Sequence, residues 1–439
     1  MLKSKDNLAD LAQKCISKSK ELGATDVEVG LSNNISESIN FRNKKLEQSD
    51  RSEVLSLGLT TYIGKKKSNV STSNFNEENL NQLIERCIEC TKISPEDEYA
   101  GLPDKNELEN KVQDLNLYDE KNLSNDFKKN YLKEMENEMF SFPEIKNSNG
   151  SSFSENKSNF IFANSIGFCE GYYASSYSVF CEALAEKNGQ MERDYEMSVN
   201  RFSDNLSTAK EVGKLAAEKA CKRLGAKKIV SGKLPIIFEK RVAKSLLSTF
   251  ASAVTGSSFA RGISFLKKSL GKEIFSKEIN IIDDPLIKRG LGSQSFDSEG
   301  VKNQKIDLVK NGKFTNLLLD TYNSKILKLK NNGRCGGLTN LYIKNGNTDL
   351  KKIISEQKKA FFVLELIGRA GDITNGNYSV GASGLMIENG EIAYPVNEVT
   401  IASNLTDIFK MLTPLNDLDF TTSVNSPSLF IEQMTVAGK

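Results

Sequence analysis

The sequence predicts an α+β protein with antiparallel sheets: a smaller N-terminal α/β unit with flanking helices, and a larger C-terminal β-rich unit with hairpins and a few helices. Three observations carry this. Two helical-period stretches bracket a set of alternating apolar/polar runs in the first hundred residues. A second set of alternating runs ends in an amphipathic stretch at Ser207–Leu224. In the C-terminal half, Asn311-Gly312 and Asn389-Gly390 each sit between alternating runs, and Asn-Gly is the preferred two-residue hairpin turn because both positions need φ > 0.

In order, Leu8, Leu11, Ala12, Cys15 and Ile16 form one stripe of a helix over 6–22, with Gly23 just beyond. Alternation at Asp26–Leu31, Ser36–Arg42, Val54–Tyr62 and Ser68–Thr72 predicts four short strands, and Asn76–Thr91 a second helix. The first unit therefore reads α-β-β-β-β-α and spans residues 1–103. A Lys-, acid- and Asn-rich segment follows, with Phe127, Tyr131, Leu132, Met135 and Met139 marking a helix. Phe160–Cys169, Val179–Ala185 and Met191–Arg201 read as strands of a meander that, with the Ser207–Leu224 helix, completes the N-terminal region over 104–225. Residues 226–439 form the C-terminal unit. At 439 residues, two or three domains of roughly 100–200 residues each are expected.

Composition narrows the chemistry. There is no histidine and no tryptophan. Ser-His-Asp and Cys-His catalysis, imidazole metal ligands and His acid–base chemistry are thereby removed. Carboxylate, Lys, Ser–Lys, Tyr or lone-thiolate chemistry remains. The net charge of +2 gives no broad footprint for nucleic acid. Seven cysteines are not a disulfide framework. Cys87 and Cys90 form a C-x-x-C inside a helical stretch; two cysteines cannot close a zinc site and no second C-x-x-C exists, so reduced thiols are expected rather than a redox pair or half a metal site. The start, MLKSKDNLADLAQKC, has no apolar signal region, and no window approaches a membrane span. A soluble cytoplasmic protein is expected.

Three C-terminal segments could carry chemistry. Arg241–Val254 is a helix with Val242, Leu246, Phe250 and Val254 on its apolar stripe and Ser245, Ser248, Thr249 and Ser252 beside it. Lys244 precedes Ser245, but adjacent helical residues do not face each other. Ile281–Gly300 clusters Asp283, Asp284, Asp297 and Glu299, readable as a hard-metal or general-base cluster or as a turn. Gly368–Gly384 holds glycines that include Gly368, Gly371, Gly376 and Gly381; it matches no phosphate-loop fingerprint, and either admits close backbone approach or simply connects strands.

Taken together these segments resemble the TldD/PmbA family, and specifically its PmbA (TldE) branch. The resemblance covers nearly the whole chain. It is carried by SFLKKSLGKEIF (264–275), DDPLIKRGLGSQSFDSEG (283–300), NGKFTNLLLDTYNSKIL (311–327), NYSVGASGLMIENGEIAYPVNEVTIASNL (377–405), SPSLFIEQMTVAG (426–438) and, upstream, YAGLPD (99–104). It implies a cytoplasmic TldD–PmbA-type metalloprotease that cuts unfolded peptides, also described as a modulator of DNA gyrase. In the TldD branch a helix carries H-E-x-x-x-H and a C-terminal Cys for zinc. Aligned on that helix, Ser248, Thr249 and Ala253 occupy the His, Glu and second His positions, and no cysteine follows Cys335.

The resemblance therefore implies a subunit without a zinc site, lacking catalytic or metal residues of its own. Zinc is expected only in a TldD-type partner, with which this chain would form a heterodimer; a homodimer is the alternative. The expected substrate is an unfolded peptide, held by pairing of its backbone with exposed strands. Ser248, Thr249 and the glycines at 368, 371, 376 and 381 are the candidate chamber wall. A stand-alone homodimeric peptide or protein binder is the second reading. An independent hydrolase using Asp283, Asp284, Asp297 or Glu299 with a metal is the third. Neither direct nucleic-acid binding nor membrane association is expected.

Overall fold

The computed structural model describes residues 2–368 and 370–438. Helix α1 (Lys5–Glu21) starts where the Ser4 hydroxyl accepts the Asn7 N–H at 3.2 Å, and buries Leu8, Ala12, Cys15 and Ile16. It is followed by β1 (Asp26–Arg42), β2 (Lys45–Ile63), β3 (Lys66–Thr72) and α2 (Glu77–Ile93). The first unit is thus α-β-β-β-α, because the two runs at 26–31 and 36–42 form one continuous strand. The polar residues between them stay in the ladder since Asn33 is buried with its amide satisfied. Its Oδ1 accepts the Lys3 N–H at 2.7 Å and its Nδ2 donates to the Val54 carbonyl at 3.4 Å.

Next come α3 (Asn125–Met139), β4 (Ile145–Asn164), β5 (Cys169–Lys187), β6 (Gln190–Asn200) and α4 (Ala209–Lys222). The six strands form one antiparallel sheet in the order β3-β2-β1-β4-β5-β6. Residues 165–168 turn between β4 and β5 rather than continuing a strand; the Asn164 side chain accepts the Ile166 and Phe168 N–H groups. Asn188 and Gly189, at φ 53° and 78°, make a further hairpin. On α3 the buried stripe is Lys128, Leu132, Met135 and Met139, while Phe127 is largely exposed. The first half of β4 shows no apolar alternation because its inward positions include charges. Lys128 lies 2.5 Å from Glu37 and 2.7 Å from Glu155, which faces Lys157 at 3.6 Å.

The C-terminal unit comprises β7 (Gly232–Phe238), α5 (Lys240–Ala253), α6 (Gly256–Ala260), β8 (Ile281–Asp283), β9 (Ile306–Lys310), β10 (Lys313–Phe314), α7 (Thr321–Leu327), β11 (Leu341–Ile343), α8 (Leu350–Glu356), β12 (Lys359–Ile367), β13 (Asn377–Glu388), β14 (Glu391–Asn404), α9 (Leu405–Lys410), β15 (Leu412–Pro414), β16 (Val424–Asn425) and β17 (Leu429–Ala437). Both Asn-Gly hairpins are present, with all four residues at positive φ. Strands β14-β13-β12-β7-β17 pair in series, and β17 returns to β14 through Thr400–Ala437, Ile401–Val436 and Ala402–Thr435. That closes a barrel and removes its open edges. A second sheet runs β10-β9-β8-β11-β16. Leu246, Phe250 and Val254 of α5 and its cap share one core with Phe238, Phe361, Val363 and Tyr378. Among the described residues no helix is long and apolar enough to cross a membrane.

The N-terminal sheet docks on the barrel through charge. Asp194 on β6 is buried and bonds Arg241 of α5 at 2.9 Å, with Arg223, just past α4, at 3.5 Å. Arg223 also reaches Glu365 of β12 at 2.5 Å, and Arg193 meets the same carboxylate at 2.9 Å. Removing one member leaves charge buried without its partner. Asp194→Ala is expected to lower unfolding free energy on the order of 3 kcal/mol, whereas Asp204→Ala, which breaks the exposed Lys121–Asp204 pair, costs below about 1 kcal/mol. Urea denaturation of the two variants checks this; equal losses would mean the docking charges contribute no more than surface pairs.

Candidate functional site

Helix α5 begins with the Glu239 carboxylate accepting the Arg241 N–H at 3.0 Å. Its apolar stripe fixes the rotation of the helix, and so turns Ser248 outward, leaves Thr249 half-buried and buries Ala253. Each hydroxyl is engaged by the helix itself. Ser248 donates to the Lys244 carbonyl at 3.0 Å, Thr249 to Ser245 at 2.9 Å and Ser252 to Ser248 at 3.0 Å. Ser245 donates to the Val242 carbonyl at 2.7 Å rather than facing Lys244.

The glycine-rich segment divides in two. Residues 368–376 connect β12 to β13, and Gly381 and Gly384 lie inside β13; Arg369 is outside the described residues. Gly371, at φ +76°, packs on α5: a Cβ built there would stand 2.9 Å from the Thr249 methyl. Only glycine combines that backbone with that approach. Gly376, at φ +79°, sits between Phe265 and Asn404, and its carbonyl accepts the Leu405 N–H at 2.7 Å. Gly381 lies against Ile367 across the β12–β13 ladder, and Gly368 has open space around its Cα. The fold thus brings Thr249 and Gly371 into contact and leaves Gly368 and Gly381 further along the same hairpin.

The four acidic residues do not converge. Asp283 is fully buried against Arg334, Nε to Oδ2 at 2.5 Å, and accepts the Thr339 N–H and hydroxyl at 2.8 and 2.9 Å. Arg334 spends its other donors on the Asn332, Gly333 and Gln304 carbonyls and on Asn303. Asp284 meets Lys305 at 3.3 Å. Asp297 is buried and accepts three N–H groups, from Glu299, Val301 and Cys335, each at 2.9 Å. Glu299 accepts the Thr321 N–H at 3.0 Å. The Glu299 charge is felt at Glu28 of the N-terminal sheet, which accepts the Tyr62 hydroxyl at 2.9 Å. Burial, reinforced by the Glu299 charge, pushes both Glu28 and Asp297 up to about 7. Among the described residues no three His, Cys, Asp or Glu side chains gather as a metal-binding group. Cys87 and Cys90 are both free thiols on α2.

Sequence reasoning missed a cleft of about 380 Å3 between β6, the first turn of α5 and residues 419–426. The available signal was Asn188-Gly189, a hairpin dipeptide that opens the strand lining the cleft; the position of that strand at the sheet edge comes from the fold.

Residues 231–438 match the PmbA/TldA metallopeptidase C-terminal domain, 118–224 its central domain and 27–90 its domain 1. The chain belongs to the PmbA/TldD metallopeptidase family. It is 32% identical over 435 residues to the metalloprotease PmbA homolog of Buchnera aphidicola from Acyrthosiphon pisum, covering 98% of this chain and 97% of that one. With metalloprotease PmbA of Escherichia coli O157:H7 the identity is 31%, covering 98% and 96%. A Bacteroides thetaiotaomicron crystal structure described as a modulator of DNA gyrase superposes with TM-score 0.93 at 25% identity, covering 99% of each chain. TldE from Thermococcus kodakarensis shares the fold at TM-score 0.86 and 20% identity, covering 97% of this chain and 99% of that one.

The donor set on α5 does not fit the metal site that the resemblance implies. Two hydroxyls bonded to their own helix and a buried methyl group offer neither imidazole nor carboxylate.

The buried Glu28 carboxyl makes stability depend on pH. The folded protein holds the Glu28 proton more tightly than an unfolded chain, whose carboxyl titrates near 4.5. The site therefore favours the fold fully below that pH, and the advantage is lost as pH rises toward about 7. Glu28→Gln is expected to match the parent near pH 4 and to exceed it at pH 8 by on the order of 1–3 kcal/mol. Denaturant melts at both pH values measure this, and identical pH slopes for the two chains would place the titration elsewhere.

Proposed function

We propose that this chain is the metal-free subunit of a TldD–PmbA-type peptidase, working with a TldD-type partner that carries the zinc and closing a chamber in which unfolded peptide is held. The observation that carries this is α5, where Ser248, Thr249 and Ala253 stand at the positions the resemblance gives to metal ligands and the catalytic carboxylate. The relatives named metalloprotease PmbA, aligned almost end to end, support membership of that branch. A Buchnera aphidicola relative named metalloprotease TldD homolog aligns over 58% of the chain at 25% identity, which fits a shared scaffold with divergent sites. Contact between Gly371 and Thr249 fits a wall built from the β12–β13 connection and α5. All seven cysteines are free, as in a reducing compartment, and we place the protein in the cytoplasm.

The purified chain alone is expected to leave an unstructured peptide intact, with or without chelator. Mixed with a TldD-type chain it is expected to give hydrolysis that a chelator abolishes and that exceeds what the partner achieves alone. Chelator-sensitive turnover by this chain alone, free of contaminating protease, would overturn the reading.

A further inference from the structure

Strand β6 ends its sheet and, among the described residues, pairs with β5 alone. Lys187 and Gln190 flank the two-residue turn, so they form a hydrogen-bonded pair and even-numbered residues of β6 aim their main-chain groups at β5. Odd-numbered residues then aim theirs outward, and the observed bonds agree. The Tyr195 N–H donates to Asp194 Oδ1 at 2.8 Å, the Tyr195 carbonyl accepts from Arg241 at 3.1 Å, and the Met197 N–H donates to Glu196 Oε1 at 2.9 Å. From there on the edge is open. Among the described residues no group takes the Met197 carbonyl or the Val199 N–H and carbonyl, and both residues line the cleft. Unpaired strand edges are the usual template for an added strand.

The charges around the cleft are matched except for one. Lys219 pairs with Glu196 at 2.5 Å, Lys240 with Asp419 at 3.4 Å, and Arg241 with Asp194 and Glu239 at 2.9 and 3.0 Å. Lys244, half-buried on the first turns of α5, lines the same cleft and has no carboxylate within ion-pair distance among the described residues. A half-buried cation without a counter-charge favours binding of one.

We infer that this cleft binds an extended polypeptide segment as an added strand on β6, through the main chain of Met197 and Val199, with a carboxylate of that segment seated on Lys244. This rests on the peptide-holding role proposed above and gives it a location. The carboxylate could come from a free C-terminus or from an Asp or Glu side chain. Ser248 lies one helical turn beyond Lys244 on the same helix.

The test is fluorescence anisotropy of a labelled, unstructured peptide titrated with the full chain. The peptide has a free C-terminus and no acidic side chain. An amidated copy, an amidated copy with one internal Glu, and a copy N-methylated at alternate residues complete the set. Backbone methylation of the peptide, or Val199→Pro in the protein, is expected to weaken binding about tenfold or more. Lys244→Met is expected to abolish whatever advantage the free acid or the Glu peptide holds over the neutral amide, and which of the two gains identifies the carboxylate. Val199 offers its N–H only outward, so proline there keeps the β5 ladder; the methylated peptide makes the same test with unmodified protein. Binding that ignores methylation, Val199→Pro and Lys244→Met overturns the cleft while leaving the peptide-holding role standing. Absence of any peptide binding, alone or with the TldD-type partner, overturns both.

Discussion

The buried carboxylate of Asp194 ties the two halves of the molecule together. It sits on the last strand of the N-terminal sheet and faces two arginines, one following α4 and one on the first turn of α5. Taking these charges out of water is costly, and the cost is offset only while every partner is present and in place. The network therefore fixes where β6 lies relative to α5 more sharply than apolar packing would. Arg241 also takes the outward carbonyl of Tyr195 and stacks its guanidinium 5.1 Å from that ring. One end of the β6 edge is closed by this arrangement. The other end is left open beside Lys244.

Charge inside the fold is a wider theme. Lys128 is fully buried between Glu37 and Glu155, and Arg334 between Asp283 and backbone carbonyls. Such pairs discriminate among alternative packings because a displaced partner leaves an unpaired charge, whereas a displaced leucine finds other apolar neighbours. Glu28, Asp297 and Glu299 make the opposite arrangement where the sheet meets the C-terminal unit. There, burial and the nearby Glu299 charge raise the Glu28 and Asp297 carboxyls.

On α5 the hydroxyls beside the apolar stripe are engaged by their own helix. The apolar stripe still locks the helix into the barrel core, and the β12–β13 connection still lies over it, with Gly371 touching Thr249. The hydroxyls turn back on their own helix carbonyls and need no ligand.

The sequence by itself determined the α+β class, the helices at 5–21, 77–93, 125–139, 209–222 and 240–253, and both C-terminal Asn-Gly hairpins, because period and turn chemistry are local. It also excluded imidazole chemistry, since a missing residue type is missing everywhere, and its motifs identified the family. Tertiary structure decided the rest. The continuous 17-residue β1 and the long polar start of β4 depend on Asn33, Lys128 and Glu155 finding partners far away in the chain. Asp283, Asp284, Asp297 and Glu299 are neighbours in sequence, yet each is held by different groups, because the Arg334–Cys335 segment reaches in between them. The cleft is made by β6, α5 and residues 419–426, which no local signal connects. Its open edge and its unmatched lysine are properties of what failed to arrive beside them, and only the assembled fold shows that.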